Sequence, residues 1–441
     1  MSHEIAERGR TVLYNAPARP SDSLRSLQFS QFFAGYHGAA FAVRTLDGWS
    51  WSSASVRTPA FVARFRTRDQ LDAVIGDARE TTLARIFLDG DLDIQGDIFA
   101  LLGVAEYTLR HAEGLSGNLI QLLARMTLDL SKRLTPWRRH APPHNWHCTP
   151  CPLDLPVQFF ESWLGSRLAH SCAMFEKPEQ DLESAQRSAL ERACGALRLD
   201  RGDRLLDVSC GWGSLMLHAA ACCGADVQGI TSSDLQAEIA AERIGRTGLG
   251  RKCTVECRDL RRAPYRAEVF DKIADIGIFE QVASSDLGEY LACMQQMLVP
   301  GGLLLLHRMT RPCTARGPRS ASLPSDLFLE PLSRALETAE SAGLELVSVE
   351  NLQREYEQTL RVWIEHLRQS WRQAVAVSVD RGRRAWLLYL VETAANLQAG
   401  DLQIHRMVLR RPPRARMVTF REWLPGLRLP GTRTAQAAPP Q

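Results

Sequence analysis

From Arg204 onward the chain alternates short, almost continuously apolar runs with longer stretches whose apolar residues recur every three or four positions. The first pattern predicts strands buried on both faces, the second amphipathic helices. The expected strands are Arg204–Val208, Asp226–Thr231, Cys253–Cys257, Phe270–Ile276, Gly302–Arg308, Leu344–Leu352 and, last, Gln403–Leu409. The helices expected between them are Ser214–Cys223, Asp234–Arg246, Asp286–Leu298 and Pro331–Ala342. This order predicts an α/β fold with a mostly parallel, Rossmann-like sheet of seven strands, helices on both faces and ligands beyond the carboxyl ends of the strands. Two long amphipathic helices, Tyr356–Trp371 and Arg381–Leu397, interrupt the pattern before the last strand and are expected to form a lid or substrate pocket.

The pattern before residue 156 is different. Phe41–Arg44 and Ala60–Phe65 read as strands, with a turn-like stretch carrying Trp49 and Trp51 between them, and Leu71–Leu83 reads as a helix. Residues 88–97 read as a turn-rich acidic loop, without the closing Glu of a calcium-binding hand. Helical periodicity returns over 98–130. Pro136, Pro142, Pro143, Pro150, Pro152 and Pro156 then mark a boundary. The expected organisation is a small α+β domain over 1–130, a Pro-rich basic linker over 131–155, a catalytic domain over 156–411 and a basic tail over 412–441.

Length and composition agree with two soluble domains: 441 residues, 45% hydrophobic and 23% charged. The net charge is only +3, but it is unevenly spread. Eight Arg and one acid, Glu422, lie between Arg406 and the C-terminus, and Lys132, Arg133, Arg138 and Arg139 form a second cluster. Such clusters suit an anionic surface, either membrane or nucleic acid, although a merely solvated tail has the same composition. No signal-peptide pattern and no membrane-spanning run is present, so a cytoplasmic protein lying peripherally on the inner membrane face is expected. The eleven Cys show no small-scaffold spacing and fit reduced thiols. His140, His144, His147, Cys148 and Cys151 lie close together, but without a second C-x-x-C a linker is preferred over a metal site.

The candidate chemistry starts where the first strand of the sheet ends. Leu205-Leu206-Asp207-Val208-Ser209-Cys210-Gly211-Trp212-Gly213-Ser214 runs from a strand through an acid into a small-residue turn and on into a helix. Gly211 and Gly213 permit close approach of a ligand to the backbone, and the helix offers free N–H groups. The spacing is neither the phosphate loop nor the dinucleotide fingerprint.

With HSCAMF, LLDVSCGWGS, GITSSDLQ, FDKIADIGIFEQV, PGGLLLLHRM and REYEQTL in order, the sequence resembles the cyclopropane-fatty-acyl-phospholipid synthase family of S-adenosylmethionine-dependent methyltransferases, as a divergent member. The resemblance implies S-adenosylmethionine along the strand ends, touching His170, Ser171, Asp207, Ser209, Gly211, Gly213, Thr231, Gln236, Cys257 and Arg258. It further implies a bicarbonate ion held by Cys172, Glu280, His307 and Tyr356, and no metal. The implied reaction adds the methyl group to the double bond of an unsaturated phospholipid acyl chain, giving a cyclopropane. The alternatives are a methyl- or methylene-branched product, another small acceptor, or a non-catalytic lipid-binding relative. The implied partner is a phospholipid membrane surface, not nucleic acid, and a homodimer is compatible with the sequence. Several positions depart from the family pattern. Ser209 replaces the first glycine of the turn, which would tighten cofactor approach; His170 replaces Tyr, Gln281 replaces His, Thr393 replaces Cys, and of the upstream His-Tyr-Asp only Asp154 remains.

Overall fold

The computed structural model describes residues 22–54, 58–76, 86–101, 103–104, 107, 155–177, 179–258, 267–277, 282–315, 329–371 and 377–413. The small domain opens with helix α1 (Asp22–Phe32), followed by β1 (Phe41–Thr45), β2 (Ser50–Ser52), β3 (Phe61–Phe65), α2 (Arg68–Gly76) and β4 (Leu92–Gly96). Its sheet has the order β2-β1-β3-β4, with β1 and β3 parallel and the other pairs antiparallel. Trp49 and Trp51 are not in a turn. They alternate with serines around β2 and pack among Phe29, Phe33 and Phe41 in the core, while the turn is confined to Leu46, Asp47 and Gly48.

The acidic stretch is also more than a loop. Its turn ends at Asp91, and β4 follows because Leu92 and Ile94 alternate with Asp93 and Gln95, which puts the two apolar side chains on one face. The helix expected over 71–83 begins earlier, at Arg68, and its second half lies outside the described residues. Most of 98–130 and all but Leu155 of the expected linker lie outside them too.

The large domain continues with α3 (Val157–Leu164), α4 (Leu182–Ala196), β5 (Arg204–Asp207), α5 (Ser214–His218), β6 (Asp226–Thr231), α6 (Asp234–Thr247) and β7 (Cys253–Cys257). Next come β8 (Phe270–Ile276), α7 (Leu287–Met297), β9 (Leu298–Thr310), α8 (Leu332–Ser341), β10 (Glu345–Asn351), α9 (Gln353–Ser370), α10 (Val377–Gln398) and β11 (Gln403–Arg410). The seven strands run β10-β11-β9-β8-β5-β6-β7. Neighbours from β9 to β7 are parallel, and β11 slots antiparallel between β9 and β10. From β5 the chain winds outward through β6 and β7 and then returns to the other side of β5 with β8. The crevice between the ends of β5 and β8 is therefore the switch point at which such sheets bind ligands.

Strand β9 is longer than its apolar run suggested, since β11 pairs with it as far as Thr310. His307 consequently lies inside the strand and not at its end.

The inserted helices α9 and α10 pack on each other and on α3, and together they bury Trp163, Leu360, Trp363, Leu367, Leu390 and Leu397. Residues 87–99 of the small domain rest on the same pair. Arg384 donates to the carbonyls of Leu92 (3.1 Å) and Phe87 (3.3 Å), and Arg368 donates to Gly96 (2.6 Å). Arg381 pairs with Asp89 at 3.6 Å, and the Arg361 guanidinium lies 4.5 Å from the Phe99 ring centre. The acidic stretch is thus the surface by which the small domain holds the inserted helices.

Candidate functional site

Asp207 ends β5 and is 2% exposed. Its Oδ1 accepts from the Ser209 N–H at 3.4 Å. Burial raises its pKa to about 7, opposed by that N–H and reinforced by nearby Asp275. Asp275, on β8, accepts at 2.6 Å from the Tyr290 hydroxyl. The chain turns at Gly211 and Gly213, whose φ angles of 53° and 82° lie in the left-handed region that side chains resist. A Cβ on Gly211 would meet no atom within 4 Å, so this backbone faces open space. A Cβ on Gly213 would come 3.4 Å from that of Ala240, so this glycine serves helix packing. The turn therefore fits a ligand lying against residue 211.

Ser209 does not project toward that space. Its hydroxyl accepts from the Ile276 N–H at 3.1 Å and so ties the end of β8 to the turn after β5.

The neighbouring strand end carries the next group. The Thr231 hydroxyl donates to Gln236 Oε1 at 2.7 Å, and Ser233 caps α6 through the Gln236 N–H. Cys257 is the register partner of Thr231, and the Arg258 N–H donates to the Thr231 carbonyl at 2.8 Å. Thr231, Gln236, Cys257 and Arg258 therefore form one shelf beside the turn.

His170 and Ser171 reach the site from the other side, on an extended segment between α3 and α4. The buried amide of Gln186 holds that segment by donating to Leu164 and Ala169. The His170 ring stacks on Trp363 at 5.1 Å and meets Trp163 and Trp386 at 5.9 and 5.4 Å. Much of the imidazole surface is accessible, yet the protein packed around it lowers its pKa to about 4. The indole N–H groups of Trp163, Trp363 and Trp386 are buried with no partner among the described residues.

A second group lies deeper. Cys172 is buried, and burial, with Glu355 adding to it, pushes its thiol pKa far up, so it stays protonated. Thr359 on α9 accepts from the next backbone N–H, that of Ala173, at 3.0 Å, which fixes the segment against the inserted helix one turn from Tyr356. His307 is buried, its Nε2 has no partner among the described residues, and burial together with the charge of Arg406 lowers its pKa to about 3. Arg406 is the cross-strand partner of His307, and its charge also acts on Cys172. Arg406 thus lies near both Cys172 and His307, and Tyr356 shares the buried apolar cluster of Cys172. Glu280 and Gln281 lie outside the described residues. Thr393 is fully buried and donates to the Tyr389 carbonyl of its own helix.

Two residues of this region carried no sequence signal. Arg243 on α6 donates to the carbonyls of Trp212 (2.5 Å) and Arg167 (2.9 Å), binding the glycine turn to the segment that leads to His170. Arg406 looked like the start of a basic tail, but it is 8% exposed and pairs with Glu350 at 2.5 Å. Arg410 pairs with Glu345, and Arg411 with Glu268 while donating to the Leu298 carbonyl. These three arginines belong to the sheet and not to a surface-seeking tail; the arginines from 414 onward, like Lys132, Arg133, Arg138 and Arg139, lie outside the described residues.

The family model described as mycolic acid cyclopropane synthetase matches residues 149–407. A probable fatty acid methyltransferase of Pseudomonas putida is 30% identical over 338 residues, covering 75% of this chain and 82% of its own length. The cyclopropane-fatty-acyl-phospholipid synthase of Escherichia coli K12 is 28% identical over 267 residues, covering 58% of this chain and 66% of its own. Among solved structures, mycolic acid cyclopropane synthase CmaA1 in complex with SAH and CTAB superposes with a TM-score of 0.54 at 26% identity, over 58% of this chain and 95% of that one. The matched span contains both residue groups, the glycine turn and the deeper set around His307. The chain therefore belongs to the mycolic acid cyclopropane synthetase family, as a divergent member of these S-adenosylmethionine-dependent C-methyltransferases.

Proposed function

We propose that the protein transfers the methyl group of S-adenosylmethionine to the double bond of an unsaturated acyl chain of a membrane phospholipid and closes a cyclopropane there, with bicarbonate as the base. The observation that carries this reading is the state of His307 and Cys172. One imidazole with a pKa near 3 and one thiol held protonated leave neither able to take a proton near neutral pH. Ring closure needs a proton removed from the newly added methyl, and a bound bicarbonate supplies that base. Buried His307 Nε2, the Cys172 segment and the Tyr356 hydroxyl would hold the anion, with buried Arg406 favouring its charge. Glu280 would accept from its hydroxyl.

The sulfonium end of S-adenosylmethionine would lie between Gly211 and the His170 segment, with Asp207, Ser209, Gly213, Ser171, Thr231, Gln236, Cys257 and Arg258 around the rest. The Trp386 indole, which keeps some accessible surface beside His170, suits both a sulfonium and the cationic carbon formed on methyl transfer. The apolar cluster of α3, α9 and α10 offers a long chain the burial it needs, at about 0.8 kcal/mol per CH₂. The CmaA1 structure, a complex with SAH and CTAB, supports the cofactor assignment. The name of the Pseudomonas relative favours a second reading, a methyl- or methylene-branched chain.

Lipid mass spectrometry of a host expressing the protein tests both. A gain of one CH₂ on unsaturated chains that resists hydrogenation supports the cyclopropane. The same gain with a double bond retained supports the methylene branch, and unchanged lipids support a non-catalytic relative. Among the described residues no helix is long and apolar enough to cross a membrane. Peripheral attachment through the basic residues at 132–139 and beyond 413 is part of this proposal; vesicle binding that is equal on anionic and neutral lipid overturns it.

A further inference from the structure

The amino end of the large sheet, opposite the cofactor turn, carries a second cluster of reactive side chains. Helix α4 ends and a five-residue π-helical turn, Ala219–Cys223, closes the segment begun by α5, each just ahead of the strand that follows. Between them lies a cleft of about 310 Å³ lined by the thiols of Cys194, Cys222 and Cys223, the imidazole of His218, and Glu191 and Arg198. π-Helical turns are uncommon and are found disproportionately at functional sites. This one presents two consecutive cysteines to a third on the neighbouring helix. Methyl transfer uses none of them.

We propose that Cys194 and Cys223 form a dithiol site that exchanges with small-molecule disulfides entering this cleft. Cys194, buried at 4% exposed, and half-buried Cys223 line the same cleft, on a helix and a π-helical turn that touch each other. Cys222 is exposed, and its sulfur lies 3.8 Å from His218 Nδ1. Burial raises the Cys194 pKa, so this thiol is a poor first nucleophile, and the accessible Cys223 is the group to react first. Its thiolate attacks one sulfur of a disulfide RSSR, forming a Cys223–SR mixed disulfide and releasing RS⁻, which takes up the proton as RSH. Cys194 then loses its proton, attacks the Cys223 sulfur and expels the second RSH. The two protein thiols are oxidised, the small disulfide is reduced to two thiols, and no other reactant is consumed. The product links α4 to the segment whose other end carries the glycine turn.

The test uses the full chain, reduced and then equilibrated with oxidised and reduced glutathione at several ratios. Free thiols are blocked with iodoacetamide, and tryptic peptides are identified by mass spectrometry. The expected result is a dithiothreitol-sensitive link between the peptide of residues 193–198 and the one carrying Cys222 and Cys223, with loss of Cys194 alkylation. Cys223→Ser abolishes the link and Cys222→Ser keeps it; thermal melting confirms that each variant is folded. Cys194 that stays fully alkylated at every ratio overturns the proposal, as does a link that survives Cys223→Ser. Glutathione retained on Cys222 alone likewise refutes the dithiol. The wild-type peptide map stands by itself should a variant fold poorly.

Discussion

The glycine turn over 207–213 and the deeper group of Cys172, His307, Tyr356 and Arg406 serve one site in the proposed function, yet they are built in opposite ways. The turn is contiguous: a strand, an acid, two left-handed glycines and a helix start are specified by neighbouring residues. The deeper group draws on a segment before the sheet, on β9, on β11 and on α9, and no local rule brings them together. The turn controls how closely a ligand approaches backbone. The deeper group instead fixes protonation states by excluding water, and this requires that the whole domain be folded.

That difference predicts separable losses, the largest first. His307→Ala removes the unpartnered nitrogen from the deeper group and should lower turnover by about 10²–10³-fold, the usual cost of losing one positioned donor to an anion. Affinity for the cofactor product should stay unchanged by calorimetry; a joint loss of both would show that the two groups act as one. Gly211→Val should do the reverse. A branched residue at φ 53° costs the folded chain about 1–2 kcal/mol with or without ligand, and its side chain would fill the open space at residue 211, so cofactor affinity should fall in the same assay. Unchanged affinity would mean that no ligand lies against this turn.

Arg243→Ala tests the connection between the two. Charged hydrogen bonds to the Trp212 and Arg167 carbonyls contribute about 1.5–3 kcal/mol, so denaturant midpoints should drop and both affinity and turnover should suffer. Arg243→Lys should not restore them, because one ammonium cannot reproduce the fork. Stability loss with intact activity would reduce Arg243 to a scaffold residue.

The smallest effect concerns pH. In the cofactor-free protein Asp207 titrates near 7, above the 3.8 of an unfolded aspartate. Between those values the folded chain holds a proton that the unfolded chain lacks. The contribution of Asp207 to stability is therefore complete below about pH 4 and is lost as pH rises through 7. Asp207→Asn removes this dependence, so its melting temperature relative to the parent should climb between pH 5 and 8. A constant difference across that range would show that Asp207 is ionised throughout.

The five inner strands were legible in the sequence as apolar runs buried in the sheet, while the edge strands β7 and β10, largely exposed, were legible by their place in the alternating order of strands and helices, which left few ways to wind the sheet. The elements missed were those whose pattern was brief or disguised. Two tryptophans alternating with serines made a strand where a turn was expected, and Leu92 and Ile94 made another within an acidic stretch. The glycine turn, its capped helices and the family motifs are likewise local, and the sequence alone determined them. Only the tertiary structure decided that Arg406 is a buried partner of His307 and not part of a tail, that Arg243 fastens the turn to the His170 segment, and that Ser209 braces β8. An arginine reads the same in sequence whether it meets water or a buried carbonyl. Its role follows from which groups the fold places within 3 Å of it and from how much water it leaves there, and both are fixed by residues far away in the chain.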